Sequence, residues 1–300
     1  MRMRYRCYAK VNLTLEVLGK RGDGYHDLAS LVHTIDLADE LSVEAADRLQ
    51  SVLEQTSEID PEANLVARAA ARLASETGGP RGARLSLVKR IPVAAGLGGG
   101  STDAAATLVA LNRLWRVRLG LGALRGLAAE LGSDIPFFLR GGAALMRGRG
   151  DEVQALPALK GQWLVLAVPR HAFADKTRRL YAALETGDFS SAERTLRAAQ
   201  RVQRGQALDE ADLVNAFERA ARAVFPGLSE VWAAAEQVCG RRFFLSGAGP
   251  ALFGLARDRA DAHQQRSKLA ELKVAAYAVR TVAHARRSIS FAGDRPIEYP

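Results

Sequence analysis

Apolar and polar residues alternate strictly over residues 11–17 (VNLTLEV), and that period of two predicts a half-buried β-strand. A turn-rich stretch, 19–24 (GKRGDG), follows it. Leu65, Ala69 and Leu73 recur four residues apart, which predicts a helix over 64–76, ended by the glycines of 78–82. Residues 83–88 predict a short strand, and the alanine- and leucine-rich 102–115 (TDAAATLVALNRLW) a helix. Another helix is expected over 121–131, stopped by Gly132, before glycines cluster at 141, 142, 148 and 150. Further on, 163–168 reads as an apolar strand stopped by Pro169, with helices over 176–184, 189–203 and 211–224. Strands at 243–246 and 251–256 flank a GAGP turn. A polar amphipathic helix over 258–272 and a last strand over 279–285 complete the pattern.

Both halves mix helices and strands without regular βαβ repetition, so the predicted class is α+β. A chain of 300 residues exceeds what one core usually organises, and two domains are expected, 1–158 and 159–300. Composition changes this picture little: 48% hydrophobic and 25% charged residues are ordinary for a globular protein. No apolar run approaches the roughly 18 residues of a membrane span. The basic start, MRMRYRCYAK, leads into no apolar signal core. Cys7 and Cys239 lie far apart, which argues against a disulfide framework or zinc site and fits a reducing cytoplasm. The net charge of +9 suits an anionic ligand, or reflects a composition that prefers arginine. Its scatter over single positions gives nucleic acid little support as a partner.

Chemistry concentrates in 92–106, PVAAGLGGGSTDAAA. Gly96, Gly98, Gly99 and Gly100 permit backbone angles closed to other residues and a close approach to a ligand. A predicted helix opens directly behind them, with unpaired N–H groups and the positive end of its dipole. Strand, glycine loop and helix N-terminus together make an anion site. Ser101 and Thr102 add hydroxyls, and Asp103 suits the first turn or could help hold a metal ion. No lysine precedes Ser101 or Thr102, which excludes GxxxxGK[ST], and Ser101 occupies the last position of GxGxxG counted from Gly96.

This segment resembles the second motif of the GHMP kinases, the superfamily of galactokinase, homoserine kinase and mevalonate kinase. GLGGGS with a trailing Asp-Ala-Ala is most similar to the branch acting on a cytidyl diphosphate alcohol of the non-mevalonate isoprenoid route, with Thr102 where that branch usually has alanine or serine. Residues 9–18 (AKVNLTLEVL) with 21–28 (RGDGYHDL) resemble its first motif, 131–140 (LGSDIPFFLR) its LGADVPFF segment, and 244–253 (FLSGAGPALF) its third motif. Residues 170–240 match weakly. The resemblance implies a two-domain architecture with the active site in the cleft between domains. It also implies ATP with Mg²⁺ as phosphoryl donor and a small cytidyl diphosphate substrate as acceptor, in a monomer or homodimer that binds neither nucleic acid nor membrane.

By the same resemblance Asp134 is the base for the acceptor hydroxyl and Lys10 its partner, whereas on local pattern alone Asp134 could simply cap a turn at Pro136. Period two places Lys10, Asn12, Thr14 and Glu16 on one strand face, otherwise read as solvated. The resemblance gives the nucleotide Pro92, Ala94, Ala95, Gly96, Leu97, Gly98, Gly99, Gly100, Ser101, Thr102 and Asn64, the last equally well explained as a helix cap. It gives the acceptor Asn12, Tyr25, His26, Asp134 and Gly247, with Tyr25 stacking on the base and His26 at its edge, and Phe173 as the second ring. Two other readings stay open: a sugar or mevalonate kinase of the same fold, and a basic nucleic-acid-binding module.

Overall fold

A computed structural model describes residues 2–54, 64–78, 82–159, 161–169, 175–282 and 289–291. The first strand, β1, spans Arg2–Lys20 and far exceeds the predicted 11–17. Its opening half alternates cleanly, with Arg2, Arg4 and Arg6 exposed and Met3, Tyr5 and Cys7 buried. From Ala9 to Val17 both faces are buried, because the second half of the chain covers the face that would otherwise meet water. Lys10, Asn12, Thr14 and Glu16 are therefore buried rather than solvated. Each has partners, as buried polar groups require. Thr14 Oγ1 accepts from the Leu31 N–H at 2.9 Å, and Glu16 accepts from Ser190 Oγ at 2.8 Å and the Thr195 N–H at 2.7 Å.

β2 (His26–Glu44) runs antiparallel to β1 with three register shifts. It pairs with β5 (Ala143–Gly148) over residues 28–33 and with β4 (Ala83–Val88) over 40–44. β3 (Leu49–Glu54) lies parallel to β4, and β6 (Glu152–Leu156) lies antiparallel to β5. Helices α1 (Leu65–Glu76), α2 (Gly99–Leu114), α3 (Leu121–Leu131) and α4 (Ile135–Phe138) pack on this sheet through Leu73, Leu108, Leu111, Leu124 and Phe137.

A second, antiparallel sheet has the order β11-β7-β10-β9, built from β7 (Trp163–Val168), β9 (Phe244–Leu245), β10 (Leu252–Ala256) and β11 (Ala275–Arg280). Around it lie α5 (Lys176–Ala182), α6 (Glu193–Gln203), α7 (Glu218–Val224), α8 (Leu228–Cys239) and α9 (Arg259–Ala270). Two short strands of the second half return to the first sheet: β8 (Val214–Asn215) beside Thr14 and Leu15, and β12 (Ile289–Phe291) beside Tyr5, Arg6 and Cys7. The fold is α+β, in two domains that share a core through β1.

Several predicted elements shift. The helix expected over 211–224 is a 3₁₀ turn (Glu210–Asp212), then β8, then α7. Asp209 draws the Ala211 N–H to its carboxylate, and Asn215 Oδ1 accepts from the Phe217 N–H, so side chains claim donors that a continuous helix would use. The helix expected from 189 begins at Glu193, after Ser190 N–H has bonded to the Val17 carbonyl and Ala192 has turned to φ 65°. The last predicted strand sits earlier, at Ala275–Arg280, and residues 283–285 fall outside the described residues.

His33 is fully buried and joins the first sheet to the segment leading to β7. Its Nε2 accepts from the Leu159 N–H at 3.0 Å, so Nδ1 carries the proton and donates to the Thr34 carbonyl at 2.9 Å. Burial pushes its pKa down to about 4 from 6.5. Between those values the unfolded chain binds a proton that the folded chain refuses, so stability is intact above pH 6.5 and falls as pH drops toward 4. The shift corresponds to roughly 3 kcal/mol. Melting temperatures between pH 7 and 4 should show this loss, and His33→Gln should remove that part of the slope while lowering stability at pH 7.

Candidate active site

A cavity of about 580 Å³ opens between the two halves, lined from the first by Lys10, Gly96, Ser101 and Asp134 and from the second by Lys176, Tyr181 and Gly247. The glycine loop forms one wall. α2 starts at Gly99 rather than at the predicted 102, so Gly99, Gly100 and Ser101 make its first turn. The first intrahelical bond, Thr102 N–H to the Gly98 carbonyl at 2.9 Å, leaves the preceding N–H groups unpaired in the helix at the positive end of its dipole. Gly96 and Gly98 have φ of 87° and 73°. A Cβ at Gly96 would stand 2.2 Å from the Ser246 carbonyl oxygen, and one at Gly98 2.6 Å from the Phe138 ring. The loop thus needs glycine at both positions for conformation and for space.

Of the residues expected around the nucleotide, Gly96, Gly98 and Ser101 line the cavity. Ala95, Leu97 and Thr102 are buried behind it, and Pro92, Ala94, Gly99 and Gly100 shape the loop without lining it. Asn64 caps α1, its Oδ1 accepting from the Val66 N–H at 2.9 Å. Asp103 does not face the phosphate side and offers nothing to a metal there. It is buried against the ammonium of Lys89 at 2.7 Å, which also contacts Asp39. Burial pushes Asp103 up to about 7, against the pull of Lys89. Asp39 also accepts from the Arg90 and Ile91 N–H groups, so this buried cluster fixes the entry to the loop against β2 and α2.

Lys10 and Asp134 meet across the cavity floor, with Nζ 3.6 Å from Oδ2. Lys10 is 4% exposed and donates to Asn12 Oδ1, while Asn12 Nδ2 donates to Ser30 Oγ at 2.7 Å. The ammonium is held in place by a chain of hydrogen bonds along β1 and β2. Asp134 precedes α4 but makes no capping hydrogen bond, which rules out the simple cap; its side chain is 43% exposed and faces the cavity. Among the described residues it is the one carboxylate lining the cavity.

The turn at 246–250 packs directly against the glycine loop and continues its wall. Ser246 Oγ donates to the Gly96 carbonyl at 3.2 Å, and Gly247 lines the cavity. Asn215 Nδ2 donates to the carbonyls of Leu245 (2.8 Å) and Gly247 (3.0 Å) and so anchors this turn. Nothing in the sequence pattern marked Asn215, which lay inside an expected helix.

Aromatic residues form the far end. Arg21 bonds to Asp27 at 2.7 Å and pairs with Asp23, whose Oδ1 accepts from the Tyr25 N–H; this bracing presents Tyr25 with 57% of its surface exposed. The Arg149 guanidinium lies 4.9 Å from the Tyr25 ring centre. His26 stacks on Tyr181 at 4.7 Å between ring centres, and burial and the Lys20 charge keep its pKa below the usual imidazole value. Tyr181 in turn meets Phe217 edge-on at 4.9 Å. Burial and the Asp134 charge push the Tyr181 phenol up to about 12, so it is a neutral hydrogen-bonding ring. Phe173 lies outside the described residues; the rings that the second half contributes to the cavity among them are Tyr181 and Phe217. In sequence Tyr181 looked like any core aromatic on a helix.

A cavity bounded by helix N–H groups, a buried ammonium and a half-exposed carboxylate offers the donors, counter-charge and acceptor that phosphoryl transfer needs. The family model for the GHMP kinases N terminal domain matches residues 64–142 and that for the GHMP kinases C terminal domain matches 180–275; the chain belongs to the GHMP kinases, ATP-dependent small-molecule kinases. It is similar to the 4-diphosphocytidyl-2-C-methyl-D-erythritol kinase of Dehalococcoides mccartyi, 40% identical over 91% of this chain and 96% of that one. The kinase of the same name from Gloeobacter violaceus is 41% identical over 87% of each chain. A crystal structure of 4-(cytidine 5'-diphospho)-2C-methyl-D-erythritol kinase superposes with a TM-score of 0.79 at 35% identity, over 93% of this chain and 99% of that one. A homoserine kinase from Cytophaga hutchinsonii shares the fold, with a TM-score of 0.72 at 18% identity over 97% of each chain. No helix among the described residues is long and apolar enough to cross a membrane.

Proposed function

We propose that the chain transfers the γ-phosphoryl group of ATP to the 2-hydroxyl of 4-diphosphocytidyl-2-C-methyl-D-erythritol, giving the 2-phosphate and ADP. The observation that carries this reading is a single cavity with the Lys10–Asp134 pair and a helix N-terminus at one end and the rings of Tyr25, His26 and Tyr181 at the other. A phosphate-transfer end joined to an aromatic end suits an acceptor whose alcohol and base are separated by a diphosphate. Kinases named for this acceptor, similar over most of the chain, support it.

In this reading ATP lies with its phosphates against the first turn of α2, near Gly96, Gly98 and Ser101. Asp134 accepts the hydrogen of the acceptor hydroxyl and takes its proton as the new oxygen–phosphorus bond forms and the bridge to the β-phosphate breaks. Lys10, paired with that carboxylate, offsets charge on the oxygens in transfer. Asn12 fixes Lys10, and Gly247 borders the acceptor. Mg²⁺ bound by the ATP phosphates would neutralise part of their charge. Ser101 and Asp134, which line the cavity, are the residues that could add oxygen ligands to such an ion. We place the division between domains at 158/159 and assign Tyr25 and Tyr181 as the rings that take the cytosine, with His26 neutral at its edge.

Two measurements test the reading. Phosphorus NMR of the protein with Mg-ATP and the cytidyl alcohol should show a new phosphomonoester and ADP; ADP without that ester would overturn the acceptor. Base–aromatic stacking is worth about 1–3 kcal/mol, so Tyr25→Ala and Tyr181→Ala should each raise KM for the cytidyl alcohol about 10-fold with KM for ATP little changed. Unchanged values for both would remove the base from this end of the cavity.

A further inference from the structure

Lys176 opens α5 and points into the cavity, yet the mechanism above gives it no part. Its ammonium donates to the carbonyls of Ala94 and Gly249, one in the loop ahead of α2 and one in the turn between β9 and β10. It is thus the side chain by which α5 ties the two glycine turns together. Among the described residues no carboxylate lies within ion-pair distance of it. A lysine has three donors, and two are engaged by neutral acceptors. The charge is half-buried and is met by no opposite charge at contact range.

The surroundings sharpen this. Lys10 on β1 repels Lys176, and Asp134 ahead of α4 attracts it from beyond contact range. On its own element, Asp175 and Arg178 pair with each other at 2.6 Å. Burial, followed by the Lys10 charge, pulls Lys176 down to about 8. Two lysines and one carboxylate thus share the phosphate end of the cavity. Like charges gathered in a partly desolvated site raise its free energy until an anion arrives, and that is the arrangement of a site built for polyanions.

We propose that Lys176 is a phosphate-binding residue: its remaining N–H takes an oxygen of a polyphosphate lying in the cavity, where the glycine loop and the turn at 246–250 meet. The inference rests on the reading of the site as a kinase centre and adds a ligand from the second half of the chain. The shared chemistry is a polyphosphate, supplied by ATP or by the diphosphate of the acceptor. The binding arms below separate those two sources.

Lys176→Gln is the informative variant, because its amide can still donate to both carbonyls while the charge is lost. Calorimetric titration of the wild type, Lys176→Gln and Lys176→Arg with a non-hydrolysable ATP analogue plus Mg²⁺, and separately with CDP, reads each source directly. Loss of a charge-assisted hydrogen bond should weaken one of the two by roughly 10- to 100-fold in Lys176→Gln, with much of it regained in Lys176→Arg. The wild-type affinity for that ligand should fall as pH rises from 7 to 9, and the Lys176→Gln affinity should not. A tie that only shapes the turns predicts neither the pH step nor a charge requirement. If Lys176→Gln binds both ligands within about twofold of the wild type, or if the wild-type pH profile is flat, the proposal is overturned. None of these titrations needs the acceptor alcohol, so failure of the NMR assay would remove the assigned acceptor and leave the Lys176 result standing.

Discussion

Asp134→Asn should lower kcat by roughly 100-fold or more while ATP still binds. The carboxylate makes no capping bond, so its loss spares α4, and it is the one acid among the described residues that lines the cavity. Asparagine keeps the shape and can still align a hydroxyl, but it cannot take the proton. A loose phosphoryl-transfer transition state leaves the acceptor oxygen little developed charge and so asks less of the base. The expected loss therefore sits toward the lower end of the range for general bases. Single-turnover rates check it, with ATP affinity measured beside them. Near-normal turnover would overturn the assignment of Asp134.

Lys10→Met should cost a comparable factor, about 100-fold in kcat, for a different reason. Methionine fills a similar volume in a buried position, but it withdraws the positive charge 3.6 Å from Asp134 and the donor to Asn12. The carboxylate then loses its ion-pair partner, and the oxygens in transfer lose a counter-charge. Lys10→Arg is the companion variant. It restores charge but not shape, because a Cβ at Gly247 would already come within 3.0 Å of Nζ and the longer guanidinium has no room beside it. Low activity in both variants, with unchanged melting temperature, separates a catalytic ammonium from a structural one.

The parts of the site that could be read from the chain are those packed into short runs. The glycine loop, the SDIP segment and the SGAGP turn each declare a backbone need that few residue types meet, and their cavity positions follow from it. Tyr181 and Asn215 could not be read this way. A tyrosine on an amphipathic helix carries the same pattern whether it borders a cavity or a core, and Asn215 acts through carbonyls 30 and 32 residues away. β2 escaped for a physical reason too: Leu28 to Ile35 are buried on both faces, so no alternation survives to mark the strand. In β1 the visible alternation was real, but its polar face turned inward, because water there is replaced by the second half of the chain.

That doubly covered strand sets how firmly the catalytic ammonium is held. Around Lys10, β1 is paired to β2, its apolar residues Ala9, Val11 and Leu13 lie in a buried core, and Lys10 and Asn12 on the other side are themselves buried. Amides in such a segment exchange with solvent only through openings that approach complete unfolding, whereas exposed turns exchange by local fluctuation. The backbone that carries Lys10 should therefore be among the slowest to exchange, and the exposed hairpin that carries Tyr25 among the fastest. One cavity is thus built from the most and the least persistent parts of the chain: the phosphate end keeps its geometry for as long as the protein stays folded, and the end that meets the base is free to adjust.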